Sequence, residues 1–73
     1  MVKITPEQLG VWFTYHPPKD DQGHRYSDIR AAGLRLAYAI LLNTPEGADQ
    51  SAAIRKVREA VMTANAAIAC GES

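Results

Sequence analysis

Two proline-bearing breaks cut this chain of 73 residues into three segments, and each segment carries a helical pattern. At the first break His16 precedes Pro17, which pushes His16 toward extended dihedrals, and Pro17-Pro18 fixes a short stiff elbow. At the second, the run Asn43-Thr44-Pro45-Glu46-Gly47-Ala48-Asp49 gathers Asn, Pro and Gly close together. The predicted fold class is therefore all-α. A short N-terminal helix spans about 6–14, the Pro-Pro elbow follows, and an antiparallel helical hairpin has arms at about 22–43 and 49–70. The chain 1–73 is expected to form a single domain, with no internal repeat and no low-complexity tract.

Local signals place the ends. After a lead-in at Met1–Ile4, Thr5-Pro6-Glu7-Gln8 reads as a helix start. Thr5 caps, Pro6 fits the first helical position, and Gln8 completes a capping box. Asp20 or Asp21 is expected to cap the second helix. The third starts near Asp49 or Ser51, and Gly71 is expected to stop it as a C′ glycine. On the second helix Ile29, Gly33, Leu36 and Ile40 recur in steps of four and three, and on the third Ile54, Val57, Val61, Ala64 and Ile68 do the same. Leu34, Tyr38 and Leu41–Leu42 make the second helix apolar over more than one face. Gly33, beside Ala31 and Ala32, marks a place for close backbone approach, since a helical Gly costs about 1 kcal/mol relative to Ala and needs a reason.

A chain this short buries little apolar surface without a staple. Its one cysteine, Cys70, closes no intrachain disulfide and fills no structural zinc site. Association with other copies remains, so a homo-oligomer is expected, and it would cover the extra apolar faces of the hairpin. The start Met and lone thiol fit a cytosolic protein. No segment has the apolar length of a membrane span.

Lys and Arg number 8 and Asp and Glu number 8, a formal net charge of zero. That argues against a binder of long nucleic acid, which draws most of its affinity from surplus cations on phosphates. A small anion held by a few local cations is not excluded. The stretch Tyr15–Arg30 gathers two tyrosines, both histidines and the cations Lys19, Arg25 and Arg30. Tyr26 and Arg30, four apart on a helix, share a side. A tyrosine ring beside a guanidinium suits a stacked base and its phosphate, and stacking is worth roughly 1–3 kcal/mol per base. The competing reading makes Tyr26 an interface residue with its hydroxyl at the rim and pairs Arg30 with Asp28 or Glu7; spacing alone favours it about two to one. His16 and His24 match no metal-ligand spacing, and no cofactor is implied. No paired carboxylates suggest hydrolysis. Asn65 lies near the seam of the third helix, where a buried amide either fixes register across an interface or meets a ligand.

Several of these residues carry a resemblance. The elements Phe13-x-Tyr15-His16-x-Pro18, Gln22, Arg25-Tyr26-x-x-Ile29-Arg30 and Arg58-Glu59-Ala60-Val61-Met62-x-x-Asn65-Ala66-Ala67-Ile68-Ala69 resemble phage helical-hairpin proteins that sequester cyclic nucleotide signals. These are the anti-CBASS sponges and the hairpin part of the anti-Thoeris sponges. The likeness covers about Phe13 to Ala69. It implies a homo-oligomer, often a hexamer, that holds cyclic di- or trinucleotides between protomers without cleaving them, in the cytoplasm of a bacterial host. By position, Tyr15 would stack on a base and Arg30 would stand where the family uses a cation toward the ligand. His16, Arg25 and Tyr26 would complete or support the pocket, with Phe13 and Asn65 as further ligand-binding candidates. Arg55 and Arg58 are candidates for a second pocket. Length favours the minimal anti-CBASS-like form, because the anti-Thoeris type carries an additional domain. The alternative is a structural or protein-binding helical module with no small ligand.

Overall fold

The computed structural model describes residues 3–73. Residues 1–2 of the expected lead-in lie outside them. Three helices follow one another: α1 (Pro6–Trp12), α2 (Gln22–Asn43) and α3 (Ala48–Gly71), and no strand occurs among the described residues. The chain is all-helical, as expected.

Helix α1 begins at the predicted capping box. Gln8 N–H donates to Thr5 Oγ1 at 3.2 Å, and Thr5 N–H donates to Gln8 Oε1 at 3.0 Å. It ends at Trp12, short of the expected reach to about residue 14. Phe13 N–H still donates to Leu9 O at 3.0 Å, but Thr14 turns its hydroxyl back to Gly10 O and the chain leaves for the elbow.

The two long arms pack on each other, joined by the turn at residues 44–47. The contact of Gly33 with Val57 and Val61, and of the start of α2 with Glu72, makes them antiparallel. On α3 the predicted seam is the inner one, with Ile54, Val57, Val61, Ala64 and Ile68 all half-buried. On α2 the inner positions are Tyr26, Ile29, Gly33, Ala37 and Ile40. Leu36 departs from the predicted stripe: it is 52% exposed, and Ala37 takes the inner position. A smaller residue there lets the arms stay close, which continues the effect of Gly33.

Two terminal signals act differently from their sequence reading. Asp21 stands at the N-cap position of α2, but its side chain makes no capping bond. Its Oδ1 accepts from Arg25 Nε at 3.1 Å instead, and Asp20 turns the chain with a φ of 52°, a conformation Asp tolerates better than most residues. Gly47, in extended backbone, precedes α3. Gly71 is the last helical residue rather than a left-handed stop, and Glu72 caps the end with its N–H on Ile68 O at 3.1 Å.

No apolar side chain among the described residues is fully buried; Gln22, 3% exposed, is the buried one. Leu34, Tyr38 and Leu41 are each about half exposed and Leu42 is 78% exposed. One hairpin by itself leaves most of its apolar surface in water. No described helix is long and apolar enough to cross a membrane.

Candidate functional site: the aromatic elbow and the head of the second helix

Between α1 and α2, residues 15–19 form neither helix nor strand. The prolines impose this, since neither donates a backbone hydrogen bond and both hold φ near −65°. The aromatic groups at its start face solvent: Phe13 is 85% exposed and Tyr15 81%. His16 ties the elbow down. Its Nε2 lies 2.7 Å from Val11 O, and because a carbonyl only accepts, Nε2 donates.

Gln22 fastens the other end. It accepts from Lys19 N–H through Oε1 at 3.1 Å, and its own backbone N–H donates to Lys19 O at 2.9 Å. Its side-chain Nε2 donates to Glu72 Oε1 at 3.1 Å. One amide therefore joins the elbow, α2 and the end of α3, which explains why it is the buried residue. Beside it a shallow pocket of about 260 Å³ is lined by His16, Pro17, Lys19, Ala69 and Ser73 among others.

Arg25 is the most heavily engaged cation. Nη1 donates to Glu72 Oε2 at 2.9 Å and Nη2 to Oε1 at 2.6 Å, a bidentate fork, while Nε holds Asp21. The hydrogen bonds from Arg25 and Gln22 hold the Glu72 carboxyl down at about 2, well below its ordinary value, and the same partner raises the Arg25 guanidinium further. Sequence reasoning offered Arg25 to a ligand and missed Glu72. The pairing joins residues 47 apart and depends on the two arms ending level.

Tyr26 is half-buried, and Arg30, one turn further along α2, is exposed. Arg30 makes no hydrogen bond or ion pair among the described residues. Neither of its expected carboxylate partners takes it, and Asp28 meets His24 at 3.4 Å instead. On α3, Asn65 is half-buried, and its Oδ1 is buried with no hydrogen-bond partner among the described residues. Arg55 and Arg58 are exposed. No hydrogen bond or ion pair among the described residues joins one candidate side chain to another. His16 is tied to α1 and Arg25 to the end of α3, while Tyr15, Arg30 and the Asn65 acceptor are left open.

A second feature escaped the sequence. An open groove of about 790 Å³ separates α1 from the C-terminal half of α3, with Val11, Trp12, Ala66, Ala67 and Cys70 along it.

The family model described as Acb2/Tad1, hairpin domain, matches residues 5–69. The chain belongs to that family. The match runs from the Thr5 cap through both arms and ends before Cys70 and Glu72. The Acb2/Tad1 hairpin family is known for a sponge role, which agrees with the resemblance read in the elbow and in α3. Comparison with curated proteins gives no match, and comparison with solved structures gives none either.

Proposed function

We infer that this hairpin is a non-enzymatic sponge, which binds cyclic oligonucleotide second messengers and so blocks CBASS-type anti-phage signalling in the host cytoplasm. Membership of the Acb2/Tad1 hairpin family supports the class. The observation that carries the site is Tyr15, an 81% exposed ring on a proline-stiffened elbow. A ring this exposed can stack on a base without first breaking contacts of its own.

Each candidate then has a task. Tyr15 stacks on a base, with Phe13 extending the aromatic surface. Arg30, without a carboxylate of its own among the described residues, pairs with a phosphate. Tyr26 flanks Arg30, His16 keeps the elbow in place, and Arg25 contributes charge at the head of α2. Asn65 Oδ1 takes a donor from the ligand or from a second copy. No bond in the ligand is broken. Capture removes it from circulation, and it is released unchanged when the protein is denatured.

The pockets lie between copies in this reading. A hairpin with no buried apolar side chain among its described residues gains its core by assembling, and a small ligand is covered more fully between protomers than on one hairpin. We propose a homo-hexamer as the assembly, the copy number that the resemblance implies.

The test is calorimetric titration of the purified protein with a panel of cyclic di- and trinucleotides and cyclic ADP-ribose isomers, followed by heat denaturation and analysis of the released ligand. Tight binding with intact release supports the sponge. A folded oligomer that binds nothing in the panel returns the chain to the class of structural modules, and a cleaved ligand makes it a hydrolase.

A further inference from the structure

The Glu72 carboxylate sits in a receptor that α2 builds without it. Both carboxylate oxygens are held: Oε2 by Arg25 Nη1 at 2.9 Å, and Oε1 by Arg25 Nη2 at 2.6 Å and Gln22 Nε2 at 3.1 Å. The donors are oriented from behind by other groups. Asp21 fixes the guanidinium through Nε at 3.1 Å, and Lys19 N–H takes Gln22 Oε1 at 3.1 Å, so the NH₂ of Gln22 faces the receptor. The positive charge of Lys19 also acts on the carboxylate. A planar fork with an adjacent amide donor fits two oxygens of a phosphate as well as two of a carboxylate.

The occupant is less firmly built than the receptor. The Glu72 side chain is 43% exposed, and the residue lies one position past α3. Gln22 and Arg25 fall inside the matched hairpin at 5–69, and Glu72 falls outside it. Although bidentate, the pair lies in partial contact with solvent, so a competing anion can reach it.

We propose that Gln22 and Arg25 form an anion receptor for a ligand phosphate, and that Glu72 is its internal occupant, which the ligand must displace. This rests on the sponge reading for the identity of the ligand, but not for the receptor itself. Glu72 tunes affinity rather than blocking it. A ligand sees only the open fraction, so a receptor closed about 90% of the time binds about tenfold more weakly than an open one.

The test begins with inorganic phosphate titrated into the isotope-labelled full chain, following the Arg25 Nε–H and Gln22 side-chain amide signals by NMR. Glu72→Gln removes the charge at nearly constant shape. The expected result is phosphate binding about tenfold tighter in Glu72→Gln than in the parent, with no response in Glu72→Gln/Arg25→Gln. Circular dichroism checks the fold, and Glu72→Asp, which keeps the charge but shortens the reach, gives an intermediate affinity. Equal phosphate affinity in the parent and both Glu72 variants overturns the receptor. The same proteins are then titrated with cyclic di-GMP and cyclic triadenylate. Binding of either ring that is indifferent to Glu72 and Arg25 rejects the receptor and leaves the sponge standing. Phosphate binding released by Glu72→Gln, with neither ring bound, rejects the sponge for these ligands and leaves the receptor standing.

Discussion

Gly33 of α2 lies so close to Val61 of α3 that a methyl group on its Cα would overlap Val61 Cγ2. The second γ-carbon wall, from Val57, stands at 3.8 Å from the same point. Valine is stiff at χ1, so Val61 yields only by moving its backbone. In Gly33→Ala the propensity gain of about 1 kcal/mol is therefore set against an overpacking cost of about 1–3 kcal/mol. Thermal or urea unfolding is expected to show a net loss of about 1 kcal/mol. Val61→Ala in the same chain should recover the propensity gain, and a double-mutant cycle with no coupling between the two positions would mean that the arms do not pack there.

The Arg25–Glu72 fork predicts a specific acid response. Glu72 has its carboxyl lowered from 4.5 to about 2 in the folded chain. The contribution is thus complete above about 4.5, where the carboxylate is ionised in both states. It fades as pH falls toward about 2, where the folded group takes up its proton. The melting temperatures of the parent and Glu72→Gln should differ at neutral pH and converge in that acid window. A constant difference down to pH 2 would assign the effect of Glu72 to packing rather than charge.

Tyr15 and Arg30 should separate binding from stability. Tyr15 is 81% exposed, and Arg30 has no partner among the described residues, so neither supports the hairpin. Tyr15→Ala and Arg30→Ala are each expected to shift unfolding by less than about 0.5 kcal/mol. Loss of stacking alone removes roughly 1–3 kcal/mol of ligand affinity. Calorimetry and melting curves on the same samples decide it. A Tyr15→Ala protein that melts early yet binds cyclic nucleotides normally would make the elbow a packing surface.

How much of this was legible in the sequence follows the range of the interactions. The Thr5–Gln8 box, the proline elbow and the turn before Ala48 rest on residues a few positions apart, and their chemistry is local. The α3 seam was legible because five apolar residues hold one period without a rival face. On α2 there was a rival. Leucines on several faces made the stripe ambiguous, and Leu36 went outward while Ala37 went inward, since close approach at Gly33 favours small neighbours. Glu72 was invisible, because its partners Gln22 and Arg25 are 50 and 47 positions away and meet it only when the arms end level. The same closure tied Arg25 to the end of α3, while Asp21 bonds Arg25 one turn along instead of capping. The Tyr15 assignment came from resemblance; the four-residue spacing of Tyr26 and Arg30 suggested a base and a phosphate, but spacing alone preferred an ordinary rim.

The outer apolar face of α2 makes the last prediction, on assembly. Leu34, Tyr38 and Leu41 follow one another in steps of four and three and are 59%, 55% and 49% exposed, while no apolar side chain among the described residues is buried. Covering a leucine is worth about 1.5–3 kcal/mol, and a hairpin that leaves several uncovered has little to set against its chain entropy. The folded state is therefore expected to be linked to association, with a melting temperature that rises with protein concentration. Leu34→Glu places a charge in the covered face and should both dissociate the oligomer and unfold the freed chain, read together by analytical ultracentrifugation and circular dichroism. An exposed control away from that face, Lys56→Glu, should do neither. A stable, fully helical monomer of Leu34→Glu, or a melting temperature independent of concentration in the parent, would show that the hairpin stands alone and that the pocket must be formed within one chain.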